Sequence, residues 1–419
     1  MKDIIKKIIA ENWDRKPDYI PRKRIPEDLT KSKTSIVIIG PRRSGKSYSF
    51  YEIKDVLAKY GAKERDFINI NFEDERLSEF KAEHFDLILE AFHEMREGKP
   101  IFFLDEIQNV DGWDKFIRRL ADSGYKIVVS GSNSKMLSTE IAEKLGGRFP
   151  EINIYPLDFK EFLRFKGLEL KKEHLYSKEK FAIKRYFEEY MSFGAFPEPA
   201  FLSDEQSKLK VLKSYFNLVF YKDIMARKGI KNEAALILII KKLRENIGKI
   251  ITPRAIYSAL KAADIEVGPN TVETYISYLE EAFLTIPCLP YAKSVGTQER
   301  KKRYIVDNGY VKLLEVKEDK GLLLKNLIFN EIIKTGKSAH YHQGKRECDF
   351  VTEKGEEAIQ VTYELNDENQ EREIVGVLEA MDAYKIKNGL IITFDQESEI
   401  ERDKRKIRVV PAWKWCLQR

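Results

Sequence analysis

The chain has 419 residues, of which 43% are hydrophobic and 34% are charged, a composition typical of a folded protein of about two to four domains. Its 74 basic and 68 acidic residues leave a formal net charge of +6, which permits nucleic-acid binding without requiring it. No apolar run approaches the roughly 20 residues of a membrane-spanning helix, and the three cysteines are isolated, so we expect a cytoplasmic protein without a membrane partner, zinc site or disulfide framework.

Residues 1–30 are interpreted as an N-terminal arm. Ile4, Ile5, Ile8 and Ile9 recur at helical spacing, and the lysines and acids between them predict an amphipathic helix rather than a signal peptide. A polar segment with three prolines follows and leads into the first apolar run.

Short apolar runs alternate with helix-length segments between residues 31 and 160. The runs that predict buried strands are 35–39, 67–71, 101–104 and 126–130. Segments 48–60 and 113–121 have the length and the mixed composition of helices. This alternation predicts an α/β fold with a parallel sheet and helices on both faces.

A phosphate-binding loop follows the first strand directly. Residues 40–47 match the pattern G-x-x-x-x-G-K-[ST] at every required position, between a predicted strand and a predicted helix. Gly40 and Gly45 would let backbone N–H groups turn toward phosphates, Lys46 would reach the β- and γ-phosphates, and Ser47 would offer its hydroxyl to Mg²⁺. The residues assigned to nucleotide binding are Gly40, Pro41, Arg42, Arg43, Ser44, Gly45, Lys46, Ser47, Tyr48 and Ser132.

An acid pair ends the strand predicted at 101–104. Asp105 and Glu106 stand at the carboxyl end of a parallel strand, where ligands of such sheets bind. We predict that Asp105 holds Mg²⁺ together with Ser47, and that Glu106 orients or deprotonates the attacking water. A solvated acidic turn is the alternative, and the complete phosphate-binding loop upstream favours the catalytic interpretation.

Three further polar residues are candidates for contact with the γ-phosphate or the attacking water. Ser132 and Asn133 follow the strand at 126–130, although a turn of Gly, Ser and Asn explains them equally well. Arg148 would stabilise charge on the transferring phosphoryl group, from its own subunit or from a neighbour, unless it is an ordinary surface arginine. The predicted catalytic set is therefore Lys46, Glu106, Asn133 and Arg148.

The sequence resembles the archaeal and bacterial AAA-type ATPases that carry a C-terminal domain of unknown function. The resemblance is carried by the phosphate-binding loop and by the segments 104–108, 130–132, 147–148, 155–162 and 194–198. It extends over essentially the whole chain. It implies an ATPase core, a helical lid, a winged helix and a nuclease-like C-terminal domain, but no particular substrate.

Residues 161–235 are interpreted as the helical lid and residues 236–300 as the winged helix, after the ATPase core at 31–160. Thr252-Pro253 predicts the start of a first helix, and Asn270 to Glu273 resemble a capping box that would begin a second. That second helix lacks the bases of a strong DNA reader. A basic run follows it and either grips phosphate or is a solvated face: Lys293, Arg300, Lys301, Lys302 and Arg303.

Residues 301–419 predict a second α/β domain that resembles the PD-(D/E)XK nuclease core. Asp349 matches the first acid of that core, whereas Gln360 and Thr362 stand where a second acid and a lysine belong. Glu331 would contribute a further ligand, and Lys345 or Lys354 would supply the missing lysine if it had migrated. Because a neutral glutamine is a poor replacement for a carboxylate in a metal site, a scaffold or binding role is favoured over nuclease activity.

These patterns together predict a Mg²⁺-dependent ATPase with ATP and ADP as ligands. The expected protein is a homo-oligomer that couples hydrolysis to domain movement on or near DNA. A nucleotide-gated signalling or scaffold switch, without a nucleic-acid substrate, is the alternative.

Overall fold

The computed structural model describes residues 1–134, 143, 145–175, 177–291, 300–314, 319–352 and 355–419. The chain divides after Tyr155 into two units, Met1–Tyr155 and Pro156–Arg419. Each unit combines a β-sheet with helices, which confirms the predicted α/β class. Within these ranges, no helix is both long and apolar enough to cross a bilayer.

The first unit is built on a five-stranded parallel sheet in the order β2-β3-β4-β1-β5. Its strands are β1 (Ile36–Ile39), β2 (Phe67–Asn71), β3 (Ile101–Asp105), β4 (Ile127–Gly131) and β5 (Glu151–Asn153). The four strands predicted from apolar runs are therefore present to within one or two residues. Since β4 lies between β1 and β3, the loops after these three strands emerge side by side at one edge of the sheet.

Helices cover both faces of this sheet. They are α1 (Lys2–Trp13), α2 (Glu27–Lys31), α3 (Lys46–Lys59), α4 (Asp86–Met95) and α5 (Trp113–Asp122). Phe50 and Ile53 of α3 pack with Ile36 and Ile38 in one buried cluster. On the other face, the Phe116 ring of α5 lies 6.4 Å from the Phe102 ring of β3. The near-continuous apolar runs of these strands thus serve two covered faces, as the sequence predicts.

The N-terminal helix α1 packs on the sheet rather than extending away from it. Ile5, Ile8 and Ile9 are buried. Trp13 Nε1 donates to the carbonyl of Phe67 at 2.9 Å, and Asn12 Nδ2 donates to the carbonyl of Asn69 at 3.2 Å. Because β2 is an edge strand, these side chains satisfy carbonyl groups that no neighbouring strand reaches.

The second unit begins with helices and contains a larger, mixed sheet. Its helices are α6 (Phe159–Phe165), α7 (Glu179–Phe193), α8 (Pro197–Phe201), α9 (Glu205–Asn217), α10 (Glu233–Glu245), α11 (Pro253–Ala262), α12 (Pro269–Glu281), α13 (Asn308–Leu313), α14 (Lys320–Lys334), α15 (Gln370–Tyr384) and α16 (Ala412–Gln418). A π-helical segment, Leu218–Ala226, continues α9.

Eight strands of the second unit form one sheet in the order β12-β13-β11-β10-β9-β8-β6-β7. They are β6 (Thr285–Pro290), β7 (Lys302–Ile305), β8 (Ala339–Gln343), β9 (Glu347–Thr352), β10 (Glu357–Val361), β11 (Asn388–Thr393), β12 (Ser398–Arg402) and β13 (Arg405–Pro411). β6 pairs antiparallel with β7 and parallel with β8. The pairing therefore crosses the boundary predicted between residues 300 and 301.

A buried aspartate fixes the turn between α7 and α8. Asp307 is 3% exposed and accepts hydrogen bonds from the backbone N–H groups of Ala195 and Gly309, both at 2.8 Å. Burial raises the pKa of Asp307 to about 6, against the opposing effects of Lys334 and of these two donors. Gly194, beside Ala195, has φ 74° and ψ −159°, a conformation that is essentially restricted to glycine.

Gly194→Ala is expected to lower the free energy of unfolding by about 2–4 kcal/mol, because an added Cβ would lie 1.7 Å from Asp307 Oδ1. Chemical denaturation monitored by circular dichroism would measure the change. Gly229→Ala is the matched control, since Gly229 also has a positive φ (64°) but has nothing within 4 Å of an added Cβ. Equal effects of the two substitutions would contradict a steric role for the Asp307 contact.

Candidate functional site

The loop between β1 and α3 has the backbone conformation of an anion-binding loop. Gly40 approaches the neighbouring chain so closely that an added Cβ would lie 2.1 Å from the carbonyl oxygen of Ile154. Arg43 and Gly45 adopt left-handed conformations, with φ 66° and 99°. Alternation between left-handed and right-handed residues turns successive N–H groups toward one point, which is the geometry that binds phosphate oxygens.

Lys46 and Ser47 begin helix α3, and both side chains point back toward the carboxyl end of β3. Lys46 Nζ lies 3.1 Å from the Pro41 carbonyl and 3.5 Å from Glu106 Oε1. Ser47 Oγ donates to Asp105 Oδ2 at 2.6 Å. The structure therefore brings together the lysine, the hydroxyl and the acid pair that the sequence assigns to one nucleotide site.

The two acids have different electrostatic environments. Burial and the neighbouring Glu106 raise the pKa of Asp105, which accepts hydrogen bonds from Ser47 and Ser130. Burial also acts to raise the pKa of Glu106, but the positive charges of Lys46 and Arg42 reverse that effect and hold the pKa below its usual value. Glu106 is thus kept as the carboxylate that a general base must be.

Three donors fix the carboxylate of Glu106 besides Lys46. Ser132 donates from its backbone N–H at 3.2 Å and from its hydroxyl at 2.8 Å, and Gln108 Nε2 donates at 2.5 Å. Glu106 itself has φ 51°, a left-handed conformation that is uncommon for a residue other than glycine. Ser132 therefore contacts Glu106 directly, and Asn133, the next residue, is partly buried.

Sequence reasoning missed Ser130 and Gln108 as members of this site. Ser130 lies on β4 and is fully buried against Asp105, whereas Gln108 lies in the 3₁₀ turn Ile107–Asn109 that follows the acid pair. The only sequence feature that could have indicated them is their closeness in the chain to predicted site residues. Ser130 is the last residue of the strand predicted before Ser132, and Gln108 stands two residues after Glu106.

Other predicted nucleotide contacts point elsewhere in the structure. Arg42 forms a two-pronged ion pair with Glu73, at 2.7 and 2.8 Å. The Tyr48 side chain is half exposed, and its ring lies 6.5 Å from the ring of Tyr19. Arg148 pairs with Asp122 at 2.6 Å, and its side chain is 69% exposed. The structure therefore places Arg148 at the surface and not among the buried residues around Asp105.

The helix-turn-helix prediction holds for the two helices but not for the start of the second. Thr252 caps α11 by accepting from the Ala255 N–H at 3.2 Å. Helix α12 begins at Pro269, and its N-cap is Gly268, without a side-chain cap. The capping box predicted at 270–273 was therefore wrong, because Pro269 at the first helical position starts the helix two residues earlier.

Two bases of the run after α12, Lys302 and Arg303, do not lie on a solvated, phosphate-gripping face. Lys302 is fully buried, bonded to Glu347 and 4.5 Å from the centre of the Tyr341 ring. Arg303 is 8% exposed and pairs with Glu280 of α12 at 2.8 Å. Arg300 is exposed, and Lys293 lies outside the described residues. Two of the five predicted bases thus stabilise the fold and are turned away from solvent.

In the region that the sequence predicts to be nuclease-like, the structure brings Asp349 and Gln360 together. Gln360 accepts from the Asp349 N–H at 3.0 Å and donates to Glu373 of α15 at 2.5 Å. The amide therefore links an N–H donor to a carboxylate, a task that glutamate could not perform without repelling Glu373. Both Asp349 and Glu373 are buried, at 0% and 2% exposure.

The lysine beside Asp349 is one that the sequence analysis did not name. Lys325 Nζ of α14 lies 2.6 Å from Asp349 Oδ1, while the Val361 N–H donates to Oδ2 at 3.0 Å. Burial lowers the pKa of Lys325, but the charge and hydrogen bond of Asp349, together with the charges of Glu347 and Glu373, outweigh that effect and raise the pKa. Lys345 is exposed in the turn before β9, and Lys354 lies outside the described residues.

Glu331 and Thr362 belong to other clusters. Glu331 is buried, bonds to Tyr190 and lies 3.2 Å from Lys334 Nζ. Thr362 donates to the carbonyl of Glu364 at 2.9 Å. In the part of the chain that the structure describes, no group of three or more His, Cys, Asp or Glu side chains is arranged to hold a metal ion. The predicted Mg²⁺ contacts, Ser47 and Asp105, are instead the sparse set that suffices when phosphates and waters complete the coordination.

Comparisons with known proteins place an AAA domain at residues 32–163 and a Domain of unknown function (DUF8612) at residues 184–320. An uncharacterised protein of Methanocaldococcus jannaschii is 36% identical over 393 residues, a match that covers 91% of this chain and 88% of that protein. An uncharacterised protein of Haemophilus influenzae is 31% identical over 391 residues, covering 91% of this chain and 94% of that protein.

Among solved structures, the Aeropyrum pernix ORC1 protein in complex with DNA aligns with a TM-score of 0.34 and 13% identity, over 74% of this chain and 93% of that one. The Cdc6p protein of Pyrobaculum aerophilum aligns with a TM-score of 0.29 and 12% identity, over 75% of this chain and 97% of that one. Both scores are low, and family membership rests on the sequence matches.

Lys325→Met is expected to lower the free energy of unfolding by about 3 kcal/mol, because it leaves the carboxylate of Asp349 buried without its counter-charge. Asp349→Asn in the same chain should restore part of the loss, since the neutral amide needs no cation. Chemical denaturation of the three chains would measure both effects. Lys345→Met is the matched control, with an expected change within about 0.5 kcal/mol at its exposed position. Equal effects of Lys325→Met and Lys345→Met would contradict the ion pair's role.

Proposed function

We propose that this chain, which belongs to the same family as the archaeal and bacterial relatives above and contains an AAA domain, binds ATP with Mg²⁺ and hydrolyses it to ADP and phosphate. The observation that carries the proposal is the pair of contacts across the end of the sheet. Ser47 reaches Asp105 at 2.6 Å, and Lys46 reaches Glu106 at 3.5 Å.

The binding step would use the backbone of the loop at residues 40–45 and the start of α3. The inward N–H groups and the positive end of the helix would hold the phosphates, and Lys46 would move from Pro41 and Glu106 to the β- and γ-phosphates. Ser47 and Asp105 would hold Mg²⁺, which supplies neutralisation of phosphate charge when it is bound.

The chemical step would depend on Glu106. Its depressed pKa keeps the carboxylate ionised near neutral pH, so that it can orient or deprotonate the attacking water. Ser132 and Gln108 bond to Oε2 of that carboxylate, whereas Lys46 faces Oε1, and Asn133 is proposed to contact the γ-phosphate or the water. Arg148, exposed on the surface, is proposed to act on the site of a neighbouring subunit in a homo-oligomer rather than on its own.

The work coupled to hydrolysis is proposed to be domain movement on or near DNA. The proposed organisation is an arm at 1–30, an ATPase core at 31–160, a helical lid at 161–235, a winged helix at 236–300 and a nuclease-like, inactive domain at 301–419. The two-helix arrangement of α11 and α12 supports a nucleic-acid contact, with the exposed Arg254 and Lys261 as its bases.

A nucleotide-gated switch without a nucleic-acid substrate is the second candidate function. It is favoured by the burial of Lys302 and Arg303 and by the pairing of α12 acids with bases. Glu280 pairs with Arg303, and Glu281 pairs with Lys228. Bases that are engaged in this way do not release counterions from DNA.

Glu106→Gln is expected to bind Mg²⁺-ATP with nearly unchanged affinity while the turnover number falls by about 100-fold or more, because the amide cannot accept a proton from water. Phosphate release and a nucleotide titration on the same preparation would separate the two effects. Glu97→Gln is the control, since Glu97 is exposed in the same unit. Undiminished turnover in Glu106→Gln would remove Glu106 from the catalytic role.

Turnover in the presence of duplex, branched or single-stranded DNA distinguishes the two candidate functions. Coupling to DNA predicts faster phosphate release with DNA and a stimulation that declines as salt rises, because phosphate contacts release counterions. Arg254→Gln together with Lys261→Gln should then reduce the stimulation without changing the DNA-independent rate. A rate that no nucleic acid changes, at low or high salt, would favour the switch.

A further inference from the structure

The segment Tyr19–Lys23 is hydrogen-bonded to α3, the helix that follows the phosphate-binding loop. The carboxylate of Glu52 on α3 accepts the backbone N–H groups of Arg22 at 2.8 Å and Lys23 at 2.9 Å. The Tyr19 hydroxyl bonds to Asp55, one turn further along the helix. These contacts place the Arg22 side chain next to the loop at residues 40–45.

Arg22 is a buried arginine that reaches the loop backbone. It is 6% exposed, and its Nη1 donates to the carbonyl oxygen of Ser44 at 2.7 Å. That carbonyl belongs to the peptide unit whose N–H is the N–H of Gly45. In a trans peptide the C=O and N–H groups point in opposite directions. When the guanidinium binds the Ser44 carbonyl, the Gly45 N–H therefore points away from the guanidinium.

Helix α3 fixes the next peptide unit of the loop. The Gly45 carbonyl accepts from the N–H groups of Tyr48 at 3.1 Å and Ser49 at 3.3 Å. Gly45 joins the two fixed units with φ 99°, a conformation that glycine adopts without strain. Helix α3 thus sets the orientation of the peptide unit that follows Gly45, and Arg22 sets the orientation of the peptide unit that precedes it.

We propose that Arg22 is a positioning residue for the phosphates of a nucleoside di- or triphosphate. It acts by holding the Ser44–Gly45 peptide with the Gly45 N–H directed at the ligand. The inference rests on the proposed nucleotide-binding function. This role requires no contact between Arg22 and the ligand, because Arg22 acts through the Ser44 carbonyl that its Nη1 holds. Its contribution is pre-organisation, since a peptide already oriented costs less to order when the ligand binds.

This role makes a specific prediction about which step depends on Arg22. Loop N–H groups of this kind cradle the α- and β-phosphates, whereas Lys46 reaches the β- and γ-phosphates. Loss of the Arg22 contact should therefore lower the affinity for ATP and the affinity for ADP by the same factor. The turnover number should change little, because Lys46, Asp105 and Glu106 keep their own contacts.

The test compares Arg22→Gln and Arg22→Lys with the wild-type chain in titrations with Mg²⁺-ATP and Mg²⁺-ADP, together with KM and kcat. Arg22→Gln is expected to weaken both nucleotides by about tenfold or more, the effect of losing a charge-assisted hydrogen bond. Arg22→Lys keeps the charge but not the reach and the fork of the guanidinium, and should also weaken both. Arg15→Gln, an exposed arginine of the same arm, is the control and should bind as the wild type does.

Glu52→Gln gives an independent route to the same result. It loosens the segment that carries Arg22 without changing any residue of the loop, and should weaken both nucleotides less than Arg22→Gln does. Equal affinity of both Arg22 variants and the wild type for ATP and ADP would overturn the inference, as would a loss confined to ATP. Wild-type protein that fails to bind either nucleotide would instead overturn the proposed function, and with it the premise of this one.

Discussion

The hydrogen bond from Ser47 Oγ to Asp105 Oδ2, 2.6 Å long, joins the start of α3 to the end of β3. The two residues are 58 positions apart in the chain. They meet because β4 lies between β1 and β3, so that the loops after all three parallel strands leave the same edge of the sheet. The contacts that Lys46, Ser130 and Ser132 make with the acid pair follow from this arrangement.

Buried charge is the main constraint on both units. Around the candidate site, Lys46 and Arg42 offset the acid pair, and Glu73 in turn receives the guanidinium of Arg42. In the second unit, the buried Asp349 is offset by Lys325, and the buried Lys302 is offset by the exposed Glu347. A charge removed from water must find a partner, so the position of each base is decided by the acid nearest to it in the fold.

The N-terminal arm makes structural contacts that its amino-acid composition does not predict. Its polar, proline-bearing composition gives no apolar pattern beyond α1, and yet it contributes contacts at two places. Trp13 and Asn12 satisfy carbonyls of the edge strand β2, and Arg22 holds a carbonyl of the phosphate-binding loop. A single side chain that donates to a distant backbone carbonyl produces no periodic pattern in the sequence. Its partner cannot be recognised either, because every residue has a backbone carbonyl.

The sequence by itself determined four of the five strands of the first unit, the loop at 40–47, the acid pair and the start of α11 at Thr252-Pro253. Each of these depends on apolar runs, turn residues and caps, which act over a few neighbouring positions. Only the tertiary structure decided where charged side chains go: Lys302 and Arg303 into ion pairs rather than onto a phosphate-binding face, Lys325 rather than Lys345 beside Asp349, and Glu331 away from that acid. The physical reason is that ion pairs and buried hydrogen bonds join residues far apart in the chain, and their partners are set by packing and not by spacing.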